Sequence, residues 1–204
     1  LVRSRGLGDV YKRQTSISFE GLDSGTGLAT GQCDIALAGI GVTDERKSKM
    51  EFTTVYFDDN LAILVPKGSS ITSAADLKGV AVGAQQATSG ETYAKENGAE
   101  VIQYEDTSLM FSALKTGQIK AVAANLSVVS EALTNDPDSF KIAYQDSENT
   151  EQIAAAVSSN NKALLAKANA TITKLKENGE LDKMKAKWVG ATSSTSASAS
   201  SSAS

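Results

Sequence analysis

From residue 80 to residue 144, short apolar runs alternate with stretches of helical periodicity, and glycines punctuate the two. Just ahead, "SAADLKG" reads as a short capped helix, with Ser73 and Asp76 making an S-x-x-D box and Gly79 ending it. "VAVGA" is then a strand, "TSGETYAKENG" a helix closed by Gly98, "EVIQY" a strand and "SLMFSALKTG" a helix stopped by Gly117. "IKAVAAN", "SVVSEALTND" and "FKIAY" continue as strand, helix and strand. Such alternation with short loops predicts an α/β unit built on a parallel sheet with right-handed crossovers.

The flanks differ in character. "CDIALAGIGV" is an apolar strand, followed by "FTTVYFDDNLAILVPKG"; on the far side "QIAAAVSSN" is a strand leading into two helices. The first helix lines up Leu164, Leu165, Ala168, Ile172 and Leu175, and the second Leu181, Met184 and Trp188. Helical spacing predicts core packing for both faces. If the outer segments belong together, the chain crosses twice between two lobes, and two crossings make a hinge with a cleft. The expected division is 15–59 with 147–190 as a discontinuous first lobe and 60–146 as the second.

In open α/β sheets ligands sit beyond the carboxyl ends of strands, where helix N-termini point. Three strand ends carry small or hydrogen-bonding residues: Gly39 to Arg46 in "AGIGVTDER", Gln85 to Ser89 in "QQATS", and Asn125 after "IKAVAA". Taken singly, Thr43, Thr88 and Ser89 are ordinary helix caps and Arg46 a surface residue. Taken together they suggest an anion site. The N–H groups of Thr88 and Ser89 can face a carboxylate at a helix opening, and Arg46 can grip it with a guanidinium fork. Gly41 would let its own N–H approach the ligand.

Composition narrows the chemistry. The 204 residues include no histidine and one cysteine, Cys33, so Cys/His zinc sites, the Ser-His-Asp triad and the Cys-His dyad are excluded. No acidic alternation of the EF-hand kind occurs, so neither cofactor nor metal is expected. A net charge of −4 without interleaved basic and aromatic residues argues against nucleic acid. No apolar run is long enough to cross a bilayer. Residues 1–14, "LVRSRGLGDVYKRQ", contain no apolar h-region and read as adapter-like sequence rather than a signal peptide. The Ser/Ala-rich end, 191–204, reads as a disordered tail.

Five pieces, "FEGLDSGTGLATGQCDIALAGIGVTDER", "MEFTTVYFDDNLAILVPKGS", "AADLKGVAVGAQQATSGETYA", "SALKTGQIKAVAAN" and "NATITKLKENGELDKMKAKWVG", occur in an order that resembles the polar amino-acid-binding receptors of ABC importers. They span about residues 17–190. The resemblance implies the two-lobed periplasmic binding protein type II fold, here without the opening βαβ portion of the first lobe. It implies that Arg46 clamps a ligand α-carboxylate with help from the backbone of Gly41, Thr88 and Ser89, and that Gly39 offers a carbonyl to the α-amino group. Phe19 would pack on the ligand side chain, Gln85 would tune selectivity, and Tyr56 and Phe57 would stand near the first hinge crossing. Where the family usually has an aspartate for the ligand ammonium, this chain has Asn125.

The resulting expectation is a monomeric, non-enzymatic extracytoplasmic receptor, free or lipid-anchored, that closes on an amino acid or similar small carboxylate and delivers it to a permease. Two alternatives stand beside it. One is a dehydratase-type enzyme on the same fold, with Glu20, Asp23 and Glu91 as the nearest acid–base candidates. The other is the ligand-sensing domain of a receptor kinase.

Overall fold

Two sheets organise residues 13–188, the part of the chain that the computed structural model describes. The larger has five strands in the order β5-β4-β6-β3-β7. Its strands are β3 (Phe57–Pro66), β4 (Ala81–Gln85), β5 (Glu100–Tyr104), β6 (Ala121–Asn125) and β7 (Phe140–Ile153). Strand β4 pairs in parallel with β5 and β6, whereas β3 runs antiparallel to both β6 and β7. The expected parallel sheet is therefore mixed. Helical crossovers fix the parallel sense only for β4, β5 and β6, which α4 (Ser89–Glu96) and α5 (Thr107–Lys115) connect.

Strand β3 is buried on both faces. Ile63 and Val65 pack with Leu77, Val82 and Ala94 on one side, while Ala62 and Leu64 pack with Met110, Leu114 and Phe140 on the other. Helix α6 (Leu126–Asn135) covers the second side through Val129 and Ala132. "SAADLKG" forms a single 3-10 turn, Ala74–Leu77, with the expected capping box in place.

The smaller sheet is antiparallel, with β8 (Ala156–Val157) between β1 (Ile35–Ala36) and β2 (Glu51–Phe52). Around it, α1 (Phe19–Asp23), α2 (Thr26–Ala29) and α3 (Asp44–Lys47) enclose Leu22, Leu28, Ile40 and Met50. "CDIALAGIGV" yields only two strand residues, because Gly39 takes a left-handed φ of 62° that breaks the extended run. Gly41 then resumes contact as an isolated bridge to Ile153.

The chain passes between the sheets twice, side by side. Tyr56 donates its N–H to the Ile153 carbonyl at 3.0 Å, and Thr53 donates to Ala155 at 2.9 Å. The last helices, α7 (Lys162–Glu177) and α8 (Glu180–Trp188), depart from expectation. No α7 residue is fully buried, Leu164, Leu165, Ala168, Ile172 and Leu175 are half-buried, and Met184 is exposed. The Ser/Ala tail, nearly all of residues 1–14 and the Trp188 side chain lie outside the described residues.

Candidate functional site

Arg46 sits on the one-turn helix α3, whose start Thr43 caps by accepting the Arg46 N–H at 3.2 Å. Far from being a surface residue, it is 5% exposed. A buried guanidinium is tolerable only when paired and hydrogen-bonded, and each of its three nitrogens here has a partner. Nε donates to Asp23 Oδ1 at 2.7 Å, one terminal nitrogen to the Gly41 carbonyl at 2.9 Å, and the other to the Ala87 carbonyl at 3.1 Å. The Phe19 ring lies 5.4 Å from the guanidinium carbon, within cation–π range. Three of the five guanidinium N–H groups are thus used, leaving one on each terminal nitrogen.

The Ala87 contact joins the smaller sheet's side to the opening of α4. Ala87 holds φ at 62°, the left-handed region that a residue with a side chain seldom adopts. Its N–H donates to Glu91 Oε2 at 2.7 Å, which fixes the turn and aims the Ala87 carbonyl at Arg46. Glu91 also accepts from Lys95 and Gln103. Burial alone would raise its pKa, but these hydrogen bonds outweigh burial and hold the carboxyl below its usual range. Gln86 adds a second link by donating to Glu20 at 3.2 Å.

Helix α4 is drawn onto the sheet at Gly90, where an added Cβ would meet the Ala123 carbonyl oxygen at 2.3 Å. That close approach brings Ser89, in the first turn, next to Asn125 at the end of β6. The Ser89 hydroxyl and the Asn125 amide (2.7 Å) both donate to one carboxylate, Glu151 on β7. Glu151 also lies 3.9 Å from an Arg46 terminal nitrogen. Gly41 contributes room rather than a visible donor: a Cβ there would come within 1.7 Å of Glu151 Oε1. Asp59, paired opposite Glu151 in the strand register, is buried and takes hydrogen bonds from Ser127. Burial, reinforced by the charge of Glu151, raises its pKa despite those bonds.

Beside this cluster opens a cleft of about 640 Å³, lined among others by Asp23, Arg46, Ala87, Thr88, Ser89 and Tyr93. Arg46 and Ser89 face both the cleft and Glu151. Of the residues singled out from sequence, Arg46, Gly41, Ser89 and Asn125 thus meet at one place, with Phe19 behind the guanidinium. Thr88 lines the cleft, but its hydroxyl donates to the Gln85 carbonyl at 2.6 Å. Gln85 turns its amide to the Glu105 carbonyl at 3.1 Å, and Gly39 stands exposed with nothing within 4 Å of its Cβ position. Sequence reasoning missed Glu151, Ala87 and the pairing of Asp23 with Arg46. Among described residues, no group of three or more His, Cys, Asp or Glu is arranged to hold a metal.

The chain belongs to the bacterial extracellular solute-binding proteins, family 3, whose model matches residues 11–191. It is 29% identical over 167 residues, 79% of its length, to the probable histidine-binding protein of Neisseria gonorrhoeae, covering 62% of that protein. Its fold superposes on an ancestral arginine-binding protein bound to glutamine with a TM-score of 0.79 at 33% identity, over 86% of this chain and 79% of the other. It is also similar to an ancestral amino-acid-binding protein described as a precursor of cyclohexadienyl dehydratase, with a TM-score of 0.76 and 25% identity over 86% and 76% of the two chains. The chain spans 62–67% of the length of the curated relatives it matches first. Those curated relatives are named as binding proteins of amino acids, and the fold is the α/β type of periplasmic amino-acid receptors.

Proposed function

We propose that this protein is the ligand-binding receptor of an amino-acid ABC importer, taking an amino acid or similar small carboxylate between lobes 15–59 with 147–190 and 60–146. The observation that carries the reading is Arg46: a buried guanidinium with two unspent N–H groups faces the opening of α4 across one cleft. The first N–H groups of a helix have no partner within it, and the helix dipole favours an anion there. A ligand carboxylate between Arg46 and α4 would touch both sides and so favour the closed state. The closed form would then dock on a membrane permease, outside the cytoplasm, as a monomer.

The reading is binding without catalysis. Glu91 is held anionic by its donors, Asp23 accepts from Arg46 and Glu20 accepts from Gln86, so all three carboxylates are engaged in contacts within the protein. A thermal-shift screen against the common amino acids and small carboxylic acids tests the proposal. A ligand at one hundred times its Kd adds about 2.7 kcal/mol, raising Tm by roughly 5–10 °C. The bound compound should be recovered chemically unchanged by NMR. Folded protein that none of these compounds stabilises contradicts the receptor reading; turnover of the ligand contradicts the non-enzymatic one.

A further inference from the structure

We propose that Glu91 is a positioning residue of the carboxylate site, holding the turn at Ala87 that sets both Arg46 and the start of α4. This inference rests on the receptor reading above and adds to it a residue that acts on the ligand through the turn.

Among the described residues, Ala87 is the only one other than glycine with a positive φ. Such strain persists only where the surroundings impose it, and it gathers at ligand clamps and switches. What imposes it here is Glu91, whose Oε2 accepts the Ala87 N–H at 2.7 Å. The other oxygen, Oε1, accepts from Lys95 and, at 2.6 Å, from Gln103 on β5. Glu91 is 6% exposed, so water competes little for these bonds. The Lys95 ammonium also offsets the charge of the carboxylate, which lessens its repulsion of an anion arriving at α4.

The turn acts at both of its ends. The Ala87 carbonyl accepts from Arg46 at 3.1 Å and so fixes one terminal nitrogen of the guanidinium. On the other side the Thr88 N–H returns to the Gln85 carbonyl at 3.3 Å, which leaves Ser89 and Gly90 to supply the first donors of α4. Relaxation of Ala87 to negative φ would rotate its peptide and shift both ends together. A neutral amide cannot replace the carboxylate. Glutamine has one acceptor oxygen, so when that oxygen serves Lys95 and Gln103 its NH2 group meets the Ala87 N–H donor to donor. Glycine at position 87 removes the strain that Glu91 opposes, because it takes positive φ about as readily as negative.

The test is a double-variant cycle read by affinity. Wild type, Glu91→Gln, Ala87→Gly and Glu91→Gln/Ala87→Gly pass through the thermal-shift screen of common amino acids and small carboxylic acids, and every compound that stabilises wild type is titrated by calorimetry. Glu91→Gln should weaken each of them by about tenfold, the usual difference between a charge-assisted and a neutral hydrogen bond. The same change should cost less than about threefold when residue 87 is glycine. A purely structural Glu91 would lower Tm in both backgrounds and leave the affinity of the folded protein alone. Glu91→Asp is the second variant, for the case that the amide does not fold. It keeps the charge but is one methylene shorter, so it should lose the Ala87 N–H and weaken binding as the amide does. Affinity within about threefold of wild type in folded Glu91→Gln or Glu91→Asp, or an equal loss in both residue-87 backgrounds, overturns this inference alone. A folded wild type that none of the compounds stabilises overturns the receptor reading with it.

Discussion

Replacing Gly41 by alanine would place a methyl carbon 1.7 Å from Glu151 Oε1, 2.3 Å from its Cδ and 2.6 Å from its Cγ. Three contacts that short cannot coexist, and the flexible member is the glutamate side chain, so Glu151 must swing away. The move breaks the bonds from Ser89 and Asn125, each a hydrogen bond to a charged group and worth about 1.5–3 kcal/mol. Both donors are half-buried and regain water, which places the loss near the low end, about 2–3 kcal/mol in all. For a domain of this size that lowers Tm by roughly 4–12 °C. Circular-dichroism melts of wild type, Gly41→Ala, Glu151→Ala and the double variant read the effect and its origin. Because the methyl acts by expelling Glu151, Gly41→Ala should cost less than about 0.5 kcal/mol once Glu151 is already alanine. A Gly41→Ala protein melting within about 1 °C of wild type, or equally destabilised in both backgrounds, would refute this reasoning.

Two further outcomes follow from the same geometry. Glu91 has its folded pKa held below the ordinary 4.5, so between the two values the unfolded chain binds more protons and stability falls as pH drops below 4.5. In Glu91→Gln that portion of the acid loss should vanish from a series of urea titrations across pH 3 to 6 (about six points); an unchanged acid slope contradicts the assignment. Gly90→Ala would drive a Cβ into the Ala123 carbonyl, a backbone atom that cannot rotate aside. Lifting α4 off β6 should destabilise by about 1–3 kcal/mol and displace Ser89 from Glu151, read as a lower denaturant midpoint; an unshifted midpoint shows that α4 does not need that approach.

Much of this site can be read from local patterns, since Arg46 and Ser89 each follow a glycine-rich or polar strand end and open a capped helix. The alternation of "VAVGA", "EVIQY" and "IKAVAAN" with helices likewise gives three parallel strands, because a helical crossover leaves little choice of direction. Nothing local sets the direction of β3 and β7, which depends on how the chain leaves and re-enters the smaller sheet. Glu151 is invisible for a related reason. In "DSENTEQ" it resembles Glu148, and only the pairing of Ile153 with Gly41, more than a hundred residues away, brings it under Arg46. The helical face of α7 shows the opposite limit: its periodicity is right for a helix, but periodicity does not say how much of that face will be covered.

The central claim is that Arg46 and the start of α4 hold a ligand carboxylate. A crystal structure of the protein with the amino acid that most raises its Tm tests this directly. The ligand carboxylate should lie about 2.7–3.2 Å from the Arg46 guanidinium and from an N–H or hydroxyl of Ser89. A ligand bound elsewhere, with Arg46 still holding Asp23, Gly41 and Ala87 and no ligand atom beside it, would contradict the claim.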